Sequence, residues 1–236
     1  MGGLNKSTQY LNNVLTRKNI LEAKNSLQIS SNNTYTRDVR EEHNLHTNTS
    51  LEKNKPAKTN YSLYGDDFSQ NEIDSMLNDN RFQKVMKTIY DNEGDYVDDA
   101  SDPGRKTKYG ISSKSYPNED IEKLTKERSS ALYYRDYWKH YHADRLPDDI
   151  AQAFMDIGIN QGMPTAVTNL QKAIGIKPGT IIGDQTINAL KNQDNIQVLD
   201  KFKNFSRQRY KHIITQNPKL QKYQKGWNNR LNKISN

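Results

Sequence analysis

The sequence predicts a mainly α protein of the α+β kind: a helical bundle with one small β-hairpin, preceded by a flexible polar arm. Three observations carry that expectation. From Asn78 onward apolar residues recur at helical spacing in segment after segment. A single turn-rich stretch, NEGDYVDDASDPGRKTKYGIS, interrupts them. Residues 1–75 are dominated by Asn, Thr, Ser and Lys, a composition that buries too little apolar surface to offset the entropy of ordering.

Taken in order, residues 1–75 read as a tether or docking arm, in which Leu11, Val14, Leu15, Ile20 and Leu21 suffice for at most a partner-bound helix. Phe82, Val85, Met86 and Ile89 fall at i, i+3, i+4 and i+7, the stripe of an amphipathic helix. In the turn-rich stretch, Tyr96–Val97 and Lys108–Tyr109 are the segments expected to pair as short strands. Thr125 is placed to cap a helix carrying Ala131, Leu132, Tyr134 and Trp138. Pro147-Asp148 opens another through Ile150, Phe154 and Ile157, closing near Gly158 or Gly162. Thr165 is the expected cap of the next, with Val167, Leu170 and Ile174 inward. Gly183-Asp184 starts a short helix with Ile187 and Leu190, a long helix follows with Leu199, Phe202, Phe205, Tyr210 and Ile213, and a last one surrounds Trp227 and Leu231.

Composition excludes several classes of chemistry. With no cysteine in 236 residues, a disulfide scaffold, a thiolate metal site and a thiol nucleophile are ruled out. No stretch approaches the roughly 18 apolar residues of a membrane-spanning helix. The N-terminal MGGLNKSTQYLNN lacks the apolar run of a secretory signal. Synthesis in a bacterial cytoplasm without an export signal is therefore the expectation. The formal net charge of +7 is unevenly spread: residues 71–160 hold 13 basic against 18 acidic groups, and residues 161–236 hold 13 against 3. An acidic middle joined to a strongly basic end suggests a catalytic part beside a part that holds a polyanion.

The turn-rich stretch concentrates the polar chemistry. Glu93 lies eleven residues past Phe82, close to three turns of about 3.6 residues, so it emerges on or near the apolar face as the helix ends. A carboxylate held against apolar surface has its charged form disfavoured, the condition for a general acid at neutral pH. Asp102 follows nine residues later and Thr107 five beyond that, across a segment able to fold back. A raised Glu facing an ionised Asp, with a hydroxyl to position water, is a minimum set for glycoside hydrolysis. Ordinary helix-end and turn roles for Glu93 and Asp102 remain the alternative on composition alone.

The blocks EGDYVDDASDPGRKTKYGIS, ALYYRDYW, FMDIGINQG, NLQKAIGI, IIGDQTINAL and KGWNNRL stand in one order over about residues 78–235. Together they resemble glycoside hydrolase family 108, whose members read roughly EGGY and then DPGG-x-T-x-x-GIT. The resemblance implies a lysozyme-like fold, with a catalytic domain over 76–161 and a helical peptidoglycan-binding region over 162–236. It implies an N-acetylmuramidase with bacterial peptidoglycan as partner, and maps the catalytic acid onto Glu93. The Glu, Asp, Thr order also resembles the triad of tailed-phage lysozymes, with the Asp-to-Thr interval one residue shorter here, and implies catalytic roles for Asp102 and Thr107. The sequence departs from the family pattern at Asp95 and Arg105, which stand where the family has glycine, and at Gly179-Thr180, where Asp-Gly is usual.

The resemblance also implies a place of action at the cell wall, as a phage-type endolysin or a virion- or secretion-associated muramidase with the arm docking it to its machine. Tyr96 and Tyr109, flanking the expected hairpin, are candidate substrate contacts, as are Asn160 behind the site and Trp227 in the C-terminal segment. For Trp227, anchoring the segment together with Arg230 is the competing role. Most of Tyr133, Tyr134, Tyr137, Trp138 and Tyr141 should be core. His140 and His142 stand two apart and point to different helix faces, so no metal and no cofactor is expected. The basic end, including Lys201, Lys203, Arg207, Arg209 and Lys211, suits an anionic envelope. No nucleic acid is expected, because no helix-turn-helix, RNA-binding signature or phosphate loop accompanies it. A catalytically weakened wall-binding module and a polyanion-binding protein are the two alternatives.

Overall fold

The computed structural model describes residues 61–92 and 107–234. A 3₁₀ turn over Tyr61–Tyr64 leads into α1 (Gln70–Asn78) and α2 (Asn80–Asn92). A two-stranded antiparallel hairpin follows, β1 (Thr107–Lys108) and β2 (Ile111–Ser112), with Thr107 opposite Ser112 and Lys108 opposite Ile111. Then come α3 (Lys126–Tyr133), α4 (Asp148–Gln161), α5 (Met163–Ala173), α6 (Asp184–Leu190), α7 (Asn195–Gln216) and α8 (Gln224–Lys233). Among the described residues the fold is mainly helical with one small sheet, as the sequence predicts.

The folded part starts earlier than the predicted boundary. Residues 61–75, assigned from composition to the polar arm, are built into the bundle. Ser69 and Glu72 form a reciprocal capping box at the head of α1, and Tyr64, Phe68, Ile73 and Met76 are buried. Phe68 lies beneath two guanidinium groups, 4.5 Å from that of Arg135 and 5.2 Å from that of Arg128. Asp67 pairs with both arginines, and Arg128 also donates to the Tyr64 carbonyl at 2.8 Å. A short polar segment thereby acquires anchors that its apolar content alone does not supply.

Between α1 and α2, Asp79 serves two elements. One carboxylate oxygen accepts the Phe82 amide at 2.9 Å, capping α2, and the other accepts the Trp138 indole N–H at 2.8 Å. The α2 stripe of Phe82, Val85, Met86 and Ile89 is buried as its spacing predicts, with Phe82 edge-on to Tyr134 at 4.9 Å. Thr125 caps α3 by accepting the Arg128 amide at 3.1 Å. The aromatic run then widens into a π-helical stretch, Tyr134–Lys139, in which His140 N–H donates to the Arg135 carbonyl five residues back at 3.1 Å.

The centre of the bundle is α4, buried along nearly its whole length from Ile150 to Gln161. It turns into α5 at Gly162, whose φ of 90° excludes most side chains. Gly162, rather than Thr165, is the cap of α5, and Thr165 lies in its first turn. Within α4, Gly158 gives Met163 its room: a Cβ there would stand 2.1 Å from the Met163 sulfur. The long α7 lies along α4 and α5, and α8 returns against it with Trp227 stacked on Tyr210 at 4.9 Å. The loop before α6 ties the C-terminal half to the aromatic run. Ile182 N–H donates to the Tyr141 carbonyl at 3.3 Å, and the Ile182 carbonyl bonds His142 Nδ1 at 3.1 Å.

Candidate active site

The site is assembled where α2 ends and the hairpin begins. Tyr90, in the last turn of α2, is fixed from α3: its hydroxyl lies 2.5 Å from the Ser129 hydroxyl and 2.9 Å from that of Ser130. Burial pushes this phenol above its ordinary range, so it acts as a neutral hydrogen-bonding group. The Tyr90 ring meets Tyr109 edge-on at 6.0 Å, which packs the hairpin turn against the end of α2. Tyr133, from α3, donates its hydroxyl to the Tyr109 carbonyl at 3.2 Å and holds the turn from the other side.

The expected strand Lys108–Tyr109 is corrected at its second residue. Lys108 pairs with Ile111, and Tyr109 is in the turn, not in a strand. Tyr109 and Gly110, both at positive φ (50° and 76°), make a two-residue connection that closes the hairpin within residues 107–112. Tyr96–Val97 lies outside the described residues, as do Glu93, Asp95, Asp102 and Arg105.

The hairpin places Thr107 with its side chain inward. The residue is 6% exposed, and its Oγ1 is buried with no hydrogen-bond partner among the described residues. A hydroxyl in that state is costly to bury and is poised to hold a small polar molecule. Opposite it, the Ser112 hydroxyl is spoken for: it lies 3.0 Å from the Ser115 hydroxyl and accepts the Ser115 amide at 3.2 Å. Of the two facing polar side chains, Thr107 is the one without a hydrogen-bond partner among the described residues.

Two expected substrate contacts turn out to be core residues. Asn160 is 1% exposed in the last turn of α4, which is buried on all sides there. Trp227 is 1% exposed and sandwiched between Tyr210 and Tyr223, leaving no free face for a sugar ring. Its partner Arg230 donates to Asp156 at 2.9 Å in a buried ion pair, so both residues anchor α8 to α4. Burial also pushes the Tyr210 hydroxyl up to about 12. Lys203 likewise leaves the basic surface: it is buried, 3.6 Å from Asp200 and bonded to the Ile234 carbonyl. Lys201 and Lys211 do stand exposed on α7.

Tyr90 escaped the sequence reading, although it stands only three residues before Glu93 in the chain. Two cavities, of about 330 and 560 Å³, open beside Arg81 and Asp148 at the head of α2. Their lining on α2 reaches no further than Val85, whereas the hairpin turn packs on Tyr90, so no hairpin residue lines either cavity. Among the described residues no group of three His, Asp or Glu is placed to hold a metal ion. Among the same residues no helix is long and apolar enough to cross a membrane.

Comparison with known proteins decides the class. The family described as glycosyl hydrolase 108 matches residues 86–162, from the middle of α2 to the end of α4. Residues 86–162 are a glycosyl hydrolase 108 domain. The domain that follows, over residues 165–232, matches the family described as a predicted peptidoglycan domain. The structure of Brucella abortus SagA is similar at 27% sequence identity and a TM-score of 0.58, covering 65% of this chain and 90% of that one. No curated protein matches the chain. The protein is a glycoside hydrolase of the lysozyme type, and the pairing of the two domains makes it a peptidoglycan hydrolase. The glycosyl hydrolase 108 domain holds the whole hairpin with Tyr90 and Tyr133, and the second domain holds the strongly basic α7 and α8.

Proposed function

We propose that the enzyme is an N-acetylmuramidase cleaving the β-1,4 bond between N-acetylmuramic acid and N-acetylglucosamine. Glu93, directly after α2, protonates the leaving oxygen. Asp102 stabilises the oxocarbenium-like transition state or helps activate water, and Thr107 positions that water. The observation that carries this reading is the buried, unpartnered Thr107 hydroxyl, on a hairpin clamped by Tyr90 and Tyr133 against the end of the helix that leads into Glu93. Asp95, two residues from the acid, adds a like charge that favours the protonated form of Glu93. Tyr109 and Tyr96 border the glycan on this reading.

The basic second domain supports retention on the wall. Residues 201–236 contain no carboxylate side chain, and of their basic groups Lys203 and Arg230 are used internally. Lys201, Lys211, Lys219, Lys222, Lys225 and Lys233 are exposed and face an anionic polymer. The enzyme serves as an endolysin or as a virion- or secretion-associated muramidase, with the chain before Tyr61 as its docking arm.

Purified sacculi incubated with the wild type and with Glu93→Gln test the reaction. New reducing ends on soluble fragments from the wild type, and none from the variant, are expected. A wild type that binds sacculi of several cross-link types yet releases nothing would make the protein a wall-binding module instead.

A further inference from the structure

Tyr109 occupies a position that disfavours it. The first residue of a two-residue hairpin turn at positive φ is ordinarily Asn, Asp or Gly, and a bulky side chain is strained there. The ring it presents organises two cations. Lys108 Nζ lies 5.5 Å from the centre of the Tyr109 ring. Lys126 Nζ, from the first residue of α3, lies 5.8 Å from the Tyr109 ring and 5.8 Å from the Tyr90 ring. Two ammonium groups from separate elements are thus each held close to the ring of one strained tyrosine.

Among the described residues no carboxylate pairs with Lys108 or Lys126; Lys108 donates only to the Glu122 carbonyl, at 2.9 Å, and Lys126 is exposed. Like charges around one ring repel, and the aromatic faces stabilise them without using up their N–H donors. Their missing counterpart is an anion. Strand alternation turns Lys108 outward where its neighbour Thr107 turns inward, and Lys126 is exposed, so both side chains lie toward the surface beside the hairpin.

We infer that Lys108 and Lys126, held on Tyr109, form a carboxylate-binding subsite at the rim of the active site. It receives the carboxylate that N-acetylmuramic acid carries on its lactyl group or on the peptide attached there. This inference rests on the muramidase reading and names what makes the site prefer a wall glycan to a neutral polymer of N-acetylglucosamine. Carboxylate–ammonium bonds at an exposed rim are individually modest and screened by salt, so the subsite acts on affinity and selectivity and leaves the bond-breaking step alone.

Equilibrium binding by the full chain tests it, comparing the wild type with Lys108→Gln/Lys126→Gln and Lys108→Arg/Lys126→Arg. Three soluble probes are used: the N-acetylglucosaminyl-N-acetylmuramic acid disaccharide, the same disaccharide bearing its peptide, and neutral chitotetraose. Neither disaccharide contains the bond the enzyme is proposed to cut. Expected is a roughly five- to tenfold loss of affinity for the carboxylate-bearing probes in the Gln pair, much of it restored in the Arg pair. Chitotetraose affinity should be equal in all three proteins. Loss with the peptide-free disaccharide assigns the lactyl carboxylate, and loss confined to the peptide-bearing probe assigns the peptide.

A Gln pair that binds carboxylate-bearing probes as tightly as the wild type overturns the subsite. So does an equal loss for chitotetraose. Reducing-end release from sacculi separates this from the parent reading: hydrolysis without carboxylate preference removes the subsite alone. Lysine-dependent carboxylate binding without hydrolysis removes the muramidase alone.

Discussion

Thr107 is a residue whose stability and catalytic roles pull in opposite directions. A buried hydroxyl without a partner costs the fold part of its desolvation, on the order of 1–2 kcal/mol, which an isosteric apolar side chain would not. Thr107→Val should therefore leave thermal stability unchanged or slightly raised. It should lower muramidase turnover by about 10²-fold if the hydroxyl positions the attacking water. Denaturation curves and reducing-end rates on the same preparation check both halves. A variant that loses stability in step with activity would show the hydroxyl to be a structural bond. The sequence pointed to Thr107 through the order of three residue types, but the unmet hydrogen bond arises only when the hairpin turns it inward. The same scale explains Trp227 and Asn160: their identity suits a glycan site, and only the stack on Tyr210 and the all-round burial of α4 assign them to the core.

At the level of elements, what was legible followed from local rules. The α2 stripe, the Thr125 cap, the Gly183-Asp184 start of α6 and the Gly162 end of α4 each depend on a few neighbouring residues. The hairpin register did not, because Tyr109 fills a turn position where Asn or Asp is the usual signal and so reads as strand. The π-helical stretch was also hidden, since it is set by packing of Tyr134 and Trp138 around Phe82 from another helix. The attachment of α8 is such a long-range device and has a measurable consequence. Arg230→Met strands Asp156 as a buried charge without its partner and should cost roughly 3 kcal/mol. Adding Asp156→Leu removes that charge, so the double variant should be more stable than Arg230→Met alone. Urea midpoints of Arg230→Met, Asp156→Leu and the double variant decide it. If the two losses simply add, the pair is not the coupling that holds α8 down.

For the whole molecule, the question is where the independently folding unit begins. The clip of Tyr64, Asp67 and Phe68 on Arg128 and Arg135 ties residues 61–69 to α3 and the π-helical stretch after it, and the cap of α1 belongs to the same segment. A chain of residues 61–236 should therefore melt as the full chain does. A chain of residues 71–236 loses the burial of Tyr64 and Phe68 and should be about 2–4 kcal/mol less stable at neutral pH. Acid should narrow the difference, and its direction follows from Asp67. Partial burial opposes ionisation of this carboxyl, but hydrogen bonds from Arg128 and Arg135 outweigh it and hold the group below its ordinary range. A depressed carboxyl contributes its stability above the unfolded value of about 3.9 and loses it as pH falls through the lower folded value. The gap between the two truncations should thus be constant from pH 7 to about 5 and shrink below about pH 4. Melting temperatures of both chains across that range read it directly. A gap that instead closes between pH 5 and 7 would assign the clip to some other group, and a chain of residues 71–236 as stable as the longer one would return residues 61–70 to the arm.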